Sequence, residues 1–124
     1  ISQKIIDECA EKEYAANGMK GLTAIAPFIS QDVIDNCAKK NFEAAGLAGL
    51  ASMAPFIGKE VLNTCAASSY ESHGIESLVS VAPFIKRDLL NELALDAISK
   101  KGINEILAIA PFIDRNLIQR QVSK

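Results

Sequence analysis

The chain has 124 residues, 49% apolar and 23% charged, with a net charge of −2 and three cysteines. That length builds one core without metal or disulfide support, and no apolar run approaches the roughly 20 residues that cross a bilayer. The weak net charge removes the electrostatic case for nucleic acid or an anionic membrane surface, and an odd cysteine count fits reduced thiols in a cytoplasm.

The tetrapeptide Ala-Pro-Phe-Ile stands at 26–29, 54–57, 82–85 and 110–113, a 28-residue period without insertion. The units are 1–28, 29–56, 57–84 and 85–112, followed by a half-unit, 113–124. Self-similarity at this length is the signature of a solenoid, whose neighbouring units complete one another's core. The expected fold is one domain over 1–124, an all-α, right-handed α-solenoid. It has four helix-turn-helix repeats and a terminal capping helix.

Each unit opens on Ile, followed by Ser2, Ser30, Gly58, Lys86 or Asp114 as the helix start. Apolar pairs Ile5/Ile6, Val33/Ile34, Val61/Leu62 and Leu89/Leu90 come next, then Cys9/Ala10, Cys37/Ala38, Cys65/Ala66 and Leu93/Ala94, then Tyr14, Phe42, Tyr70 and Ile98. These spacings make one stripe of an amphipathic helix. With Ser30 as N-cap, Ile29 and Ile34 form a hydrophobic staple, and Asp32, Glu60 and Asp88 suit the helix dipole. Gly18, Gly46, Gly74 and Gly102 recur where a positive-φ residue ends the helix.

A second apolar pattern follows: Met19, Leu22, Thr23 and Ala26, with its counterparts Leu47, Leu50, Ala51 and Ala54, then Ile75, Leu78, Val79 and Ala82, then Ile103, Ile106, Leu107 and Ala110. Its i, i+3, i+4, i+7 spacing predicts a second helix, stopped by Pro27, Pro55, Pro83 and Pro111. The following Phe and Ile are expected to turn inward and plug the corner. In the last half-unit Gln121 replaces the Cys or Leu of the others, as a capping face requires. The first unit carries no such cap, which implies either upstream repeats or a face covered by association.

Tandem helical hairpins with a proline near the second helix resemble the HEAT and armadillo class of α-solenoids. A looser likeness is to the DNA-reading repeats of TAL effectors, which implies base contacts from loops near 13–17 and 41–45. The chain lacks that family's double glycine and its basic balance, so no nucleic-acid partner is expected.

Cys9, Cys37 and Cys65 fall one per unit, too far apart across neighbouring helices for disulfides, and no ligand spacing suits zinc; they read as core. His73 reads as an exposed turn residue beside Tyr70, Glu71 and Ser72, which do not converge as a triad. Asp7, Glu8, Glu11 and Glu13, interleaved with Lys4 and Lys12, read as an ion-paired solvated face. Gly46 and Gly49 lack the lysine and serine of a phosphate loop.

The small residues Gly21, Ala24, Gly49, Ser52, Ser77 and Ser80, with Glu105 and Ala108 continuing the column, read as the outward face of the second helices. Residues 1–84 carry −4 and 85–124 carry +2, a modest axial dipole. No catalytic residue, cofactor or metal is expected. The functional expectation is a non-enzymatic protein-interaction scaffold or repeat segment of a larger protein, contacting a protein or peptide through Lys20, Ala48, Glu76 and Asn104. The alternative is a self-associating spacer that uses the uncapped first unit.

Overall fold

The computed structural model describes residues 2–114, 116 and 119, and they are all-helical, with no strand among them. Four 15-residue α-helices, α1 (Gln3–Asn17), α2 (Gln31–Ala45), α3 (Lys59–His73) and α4 (Arg87–Lys101), occupy the first half of each unit. Each ends on a glycine with φ between 73° and 93° and extended ψ, whose N–H still donates to the carbonyl four residues back. That combination of angles is nearly closed to any residue with a Cβ. The expected glycine role therefore holds, in a more extended conformation than a left-handed helical cap.

The second element of each unit differs from expectation. It is a 3₁₀ helix: η1 (Met19–Leu22) and η2 (Ala26–Phe28) in the first unit, then η3 (Leu47–Phe56), η4 (Ile75–Phe84) and η5 (Ile103–Phe112). Runs of ten residues are uncommon in 3₁₀ geometry, where side chains three apart eclipse. Here the eclipsed row is the apolar one. Leu47, Leu50 and Met53, like Ile75, Leu78 and Val81, are buried, whereas Thr23, Val79 and Leu107 are exposed. A period of three thus replaces the α-helical period, and three of the four fourth-residue positions fall to solvent, Ala51 staying half-buried.

Two further expectations are corrected. The prolines do not stop the element; in η3, η4 and η5 it runs through Pro55, Pro83 and Pro111 to the phenylalanine. Proline's fixed φ suits 3₁₀ geometry, and near the end it removes a single hydrogen bond. The break comes at Ile57 and Ile85, in extended conformation. Nor do all the phenylalanines turn inward: Phe28 is 62% exposed and Phe84 is exposed too, Phe56 and Phe112 are half-buried against the core, and Ile29, Ile57, Ile85 and Ile113 are buried. In the first unit the 3₁₀ path is interrupted where the Thr23 hydroxyl donates to the Lys20 carbonyl at 2.9 Å, a bond its counterparts Ala51, Val79 and Leu107 cannot make.

Each α-helix packs on the 3₁₀ element that follows it and on the neighbouring α-helices, while η3, η4 and η5 lie side by side. One continuous apolar cluster runs through all units, from Ala10 and Met19 to Ile109 and Ile113. No described helix is long and apolar enough to cross a membrane. Of the last half-unit only 113, 114, 116 and 119 are described, so the capping helix and Gln121 lie outside the described residues.

Candidate functional site

The most regular polar feature is a clamp at each junction between units. Asp7, Asp35, Asn63 and Asn91 occupy one position of the repeat. Each accepts the N–H of the next unit's helix-start residue: Ser30 at 2.9 Å, Gly58 at 2.8 Å, Lys86 at 3.1 Å and Asp114 at 3.0 Å. A donor at a helix start has no intrahelical partner, so the clamp satisfies it with a side chain of the preceding helix. Ser30 stands at the N-cap of α2 but makes no side-chain capping bond; its hydroxyl donates instead to Asp7 at 2.6 Å, whereas the Ser2 hydroxyl caps α1 by accepting from Ile5. The backbone and hydroxyl bonds from Ser30 hold the Asp7 carboxyl below the usual range. A weak sequence signal existed, an Asp or Asn every 28 residues on the polar side of the stripe.

In the first two junctions a glutamine reinforces the clamp. Gln3 donates to the Asp7 carboxylate and to the Phe28 carbonyl, and Gln31 does the same with Asp35 and Phe56. The third and fourth units place Lys59 and Arg87 at that position. Between α3 and α4 the tie is different: the Tyr70 hydroxyl donates to Asp96 at 2.6 Å, and Lys100 pairs with the same carboxylate at 2.9 Å. Burial, then the bond to Asp96 and its charge, push the Tyr70 phenol up to about 12. The Tyr70 and Lys100 bonds hold Asp96 low. The Tyr70–Asp96 hydrogen bond and the Asp96–Lys100 ion pair together act as a strut between α3 and α4.

Lys20, Ala48, Glu76 and Asn104 are all exposed, each at the second position of its 3₁₀ element, immediately after the apolar residue that follows the turn glycine. They form an equivalent column, and no side-chain hydrogen bond joins them among the described residues. The supposed outward column of small residues divides in two. Ala24, Ser52, Ser80 and Ala108 are exposed, but Gly21 and Gly49 face their own α-helix. A Cβ on Gly21 would meet Glu13 and Asn17 at 2.9 and 3.0 Å, and one on Gly49 would collide with the Asn41 amide. In the third unit the same pair is Ser69 and Ser77, hydrogen-bonded at 2.7 Å, and in the fourth it is a buried Ala97 facing Glu105. As the helix residue shrinks through Glu, Asn, Ser and Ala, its 3₁₀ partner grows from Gly through Ser to Glu.

The three thiols are free, and the ladder is uneven: Cys37 and Cys65 are buried and Cys9 is exposed. Burial raises both buried thiols above their ordinary pKa. Cys9 lies on α1, the first described helix, and Ile5 on the same face is 53% exposed, whereas Val33, Val61 and Leu89, each facing a preceding helix, are half-buried. His73 is exposed at the end of α3, beside a cavity of about 480 Å³ lined by Tyr70, Lys100 and Glu105. Among the described residues no cluster of His, Cys, Asp and Glu has metal-ligand geometry.

Comparison with protein families, curated proteins and solved structures gave no match to this chain.

Proposed function

We propose that the chain is an α-solenoid of the HEAT and armadillo type, a right-handed stack of 28-residue units, acting as a non-enzymatic scaffold for a protein or peptide partner. The observation that carries this reading is the clamp from residues 7, 35, 63 and 91, made between successive units with the same partner offset each time. A fixed offset stacks units in one direction and leaves side chains at a regular pitch along the surface. The exposed column of Lys20, Ala48, Glu76 and Asn104 varies in chemistry while its backbone repeats, as a partner-reading surface requires. The test is capture of a partner by the full chain, set against a K20A/E76A/N104A variant. Equal recovery by both removes the column as the contact surface. Loss with the variant, at unchanged circular dichroism, supports it.

A second reading, a self-associating spacer, is favoured by the apolar face of α1, where Ile5 and Cys9 are exposed although their counterparts are covered by a preceding helix. Sedimentation from low to high concentration decides it: a constant monomer mass excludes that reading.

A further inference from the structure

The junction between the third and fourth units holds a crevice of about 750 Å³. Its lining includes Pro55, Pro83 and the 40%-exposed Phe84, together with Lys59, Lys86 and Arg87 and the single carboxylate of Glu60. The internal repeat shows what sets this junction apart. At the first two junctions Gln3 and Gln31 reach the Phe28 and Phe56 carbonyls, but Lys59, at the same position, makes no such bond to Phe84. None of the three cationic side chains has an ion-pair or hydrogen-bond partner among the described residues. A crevice lined by both apolar side chains and unpaired cations is complementary to an anionic chain with apolar side groups.

We propose that this crevice receives an acidic peptide segment in polyproline-II conformation with carboxylates three residues apart, an inference that rests on the scaffold reading. Lys59 and Arg87 occupy equivalent positions on adjacent helices, whose axes pack about 8–10 Å apart. A polyproline-II chain advances roughly 9 Å per three-residue turn and returns the same face each time. Glutamates at i and i+3 therefore meet the two cations, and the intervening residues lie on Pro55, Pro83 and Phe84. An extended β-strand alternates faces every residue and would turn its third residue away.

The experiment is fluorescence anisotropy of the full chain with a labelled peptide of repeated Glu-Pro-Pro triplets, beside a Gln-Pro-Pro control. Binding is expected for the glutamate peptide only, weakening with salt. K59Q installs the residue native to the first two units, so the fold is preserved; it weakens binding about three- to fivefold, as loss of one exposed ion pair does. K59Q/R87Q weakens it about tenfold or more, and K12A/K40A, which removes two exposed lysines of α1 and α2, leaves it unchanged. Equal affinity for the glutamine peptide, no effect of K59Q/R87Q, or tighter binding of a single-stranded oligonucleotide overturns the proposal. Such a result leaves the scaffold reading intact if capture still depends on Lys20, Glu76 and Asn104.

Discussion

Gly49→Ser tests whether the paired positions of helix and 3₁₀ element are matched for volume within each unit. The added Cβ enters the space of the Asn41 amide and comes within 3.3 Å of the Ala45 Cβ. Overpacking costs about 1–3 kcal/mol. About 1.5–2 kcal/mol of that range applies, because the half-buried Asn41 can turn its amide partly aside but the Ala45 Cβ is fixed to the helix backbone. Restricting the unfolded backbone at a former glycine returns about 0.4–1 kcal/mol, so the single substitution should cost a net of about 0.5–1.5 kcal/mol. Asn41→Ser in the same chain recreates the Ser69–Ser77 pair of the third unit, with its 2.7 Å hydrogen bond. The double variant should therefore return to wild-type stability or slightly above it, a coupling of about 1–2 kcal/mol. Urea unfolding followed by circular dichroism measures all four corners of the cycle. Additivity within about 0.3 kcal/mol would refute the matching.

Other expectations rest on single positions. Gly46→Ala has nothing within 4 Å of its new Cβ yet sits at φ 75°, so it should cost about 1–3 kcal/mol by backbone strain alone, unrelieved by truncating any neighbour. The depressed Asp7 pKa means the folded state releases its proton more readily than the unfolded one. Its contribution is full above the unfolded value and lost as pH falls through the folded one. Asp7→Asn, the residue Asn63 uses for the same clamp, should flatten the acid limb of a Tm–pH profile; an unchanged limb would separate the clamp from acid sensitivity. A thiol-reactive dye should modify Cys9 rapidly and Cys37 and Cys65 only on opening, and three equal rates would contradict the covering of each α-helix by its predecessor.

The sequence was most legible where a feature needs one residue type. Positive φ with extended ψ needs glycine, so Gly18, Gly46, Gly74 and Gly102 announced the helix ends directly. The α-helical stripe was legible for the same reason, since Ile34, Cys37 and Ala38 bury one face. The 3₁₀ elements were misread because Leu47 and Leu50 fit periods of 3 and 3.6 equally well, and the deciding residue is the next one. Ala51 satisfies the α-helical template, but Met53, three after Leu50, is the one fully buried. The counterparts Val81 and Ile109 are apolar in every case, whereas Thr23 is not, and that contrast carried the answer. The clamps were harder to see. Asp and Asn differ in charge and are common on any solvated face, so only the structure distinguished Asp7 and Asp35 from Asp32 and Glu60.

The four units also separate what the architecture requires from what it leaves open. A turn glycine, a side-chain acceptor for the next N–H and an isoleucine in the corner stand in every unit. Removing any one leaves a helix-start donor without its side-chain acceptor, strains the backbone or opens the core. The glutamine bridge is absent from the third and fourth units, and the clamps at Asn63 and Asn91 still close at 3.1 and 3.0 Å. The bridge is therefore dispensable to stacking. Replacing it with Lys59 and Arg87 adds two charges at a junction where no fold requirement calls for charge, and leaves the Phe84 carbonyl uncovered. A departure that the fold neither needs nor forbids is where a repeat can acquire a partner, which is the physical reason to place recognition at this junction before the first two.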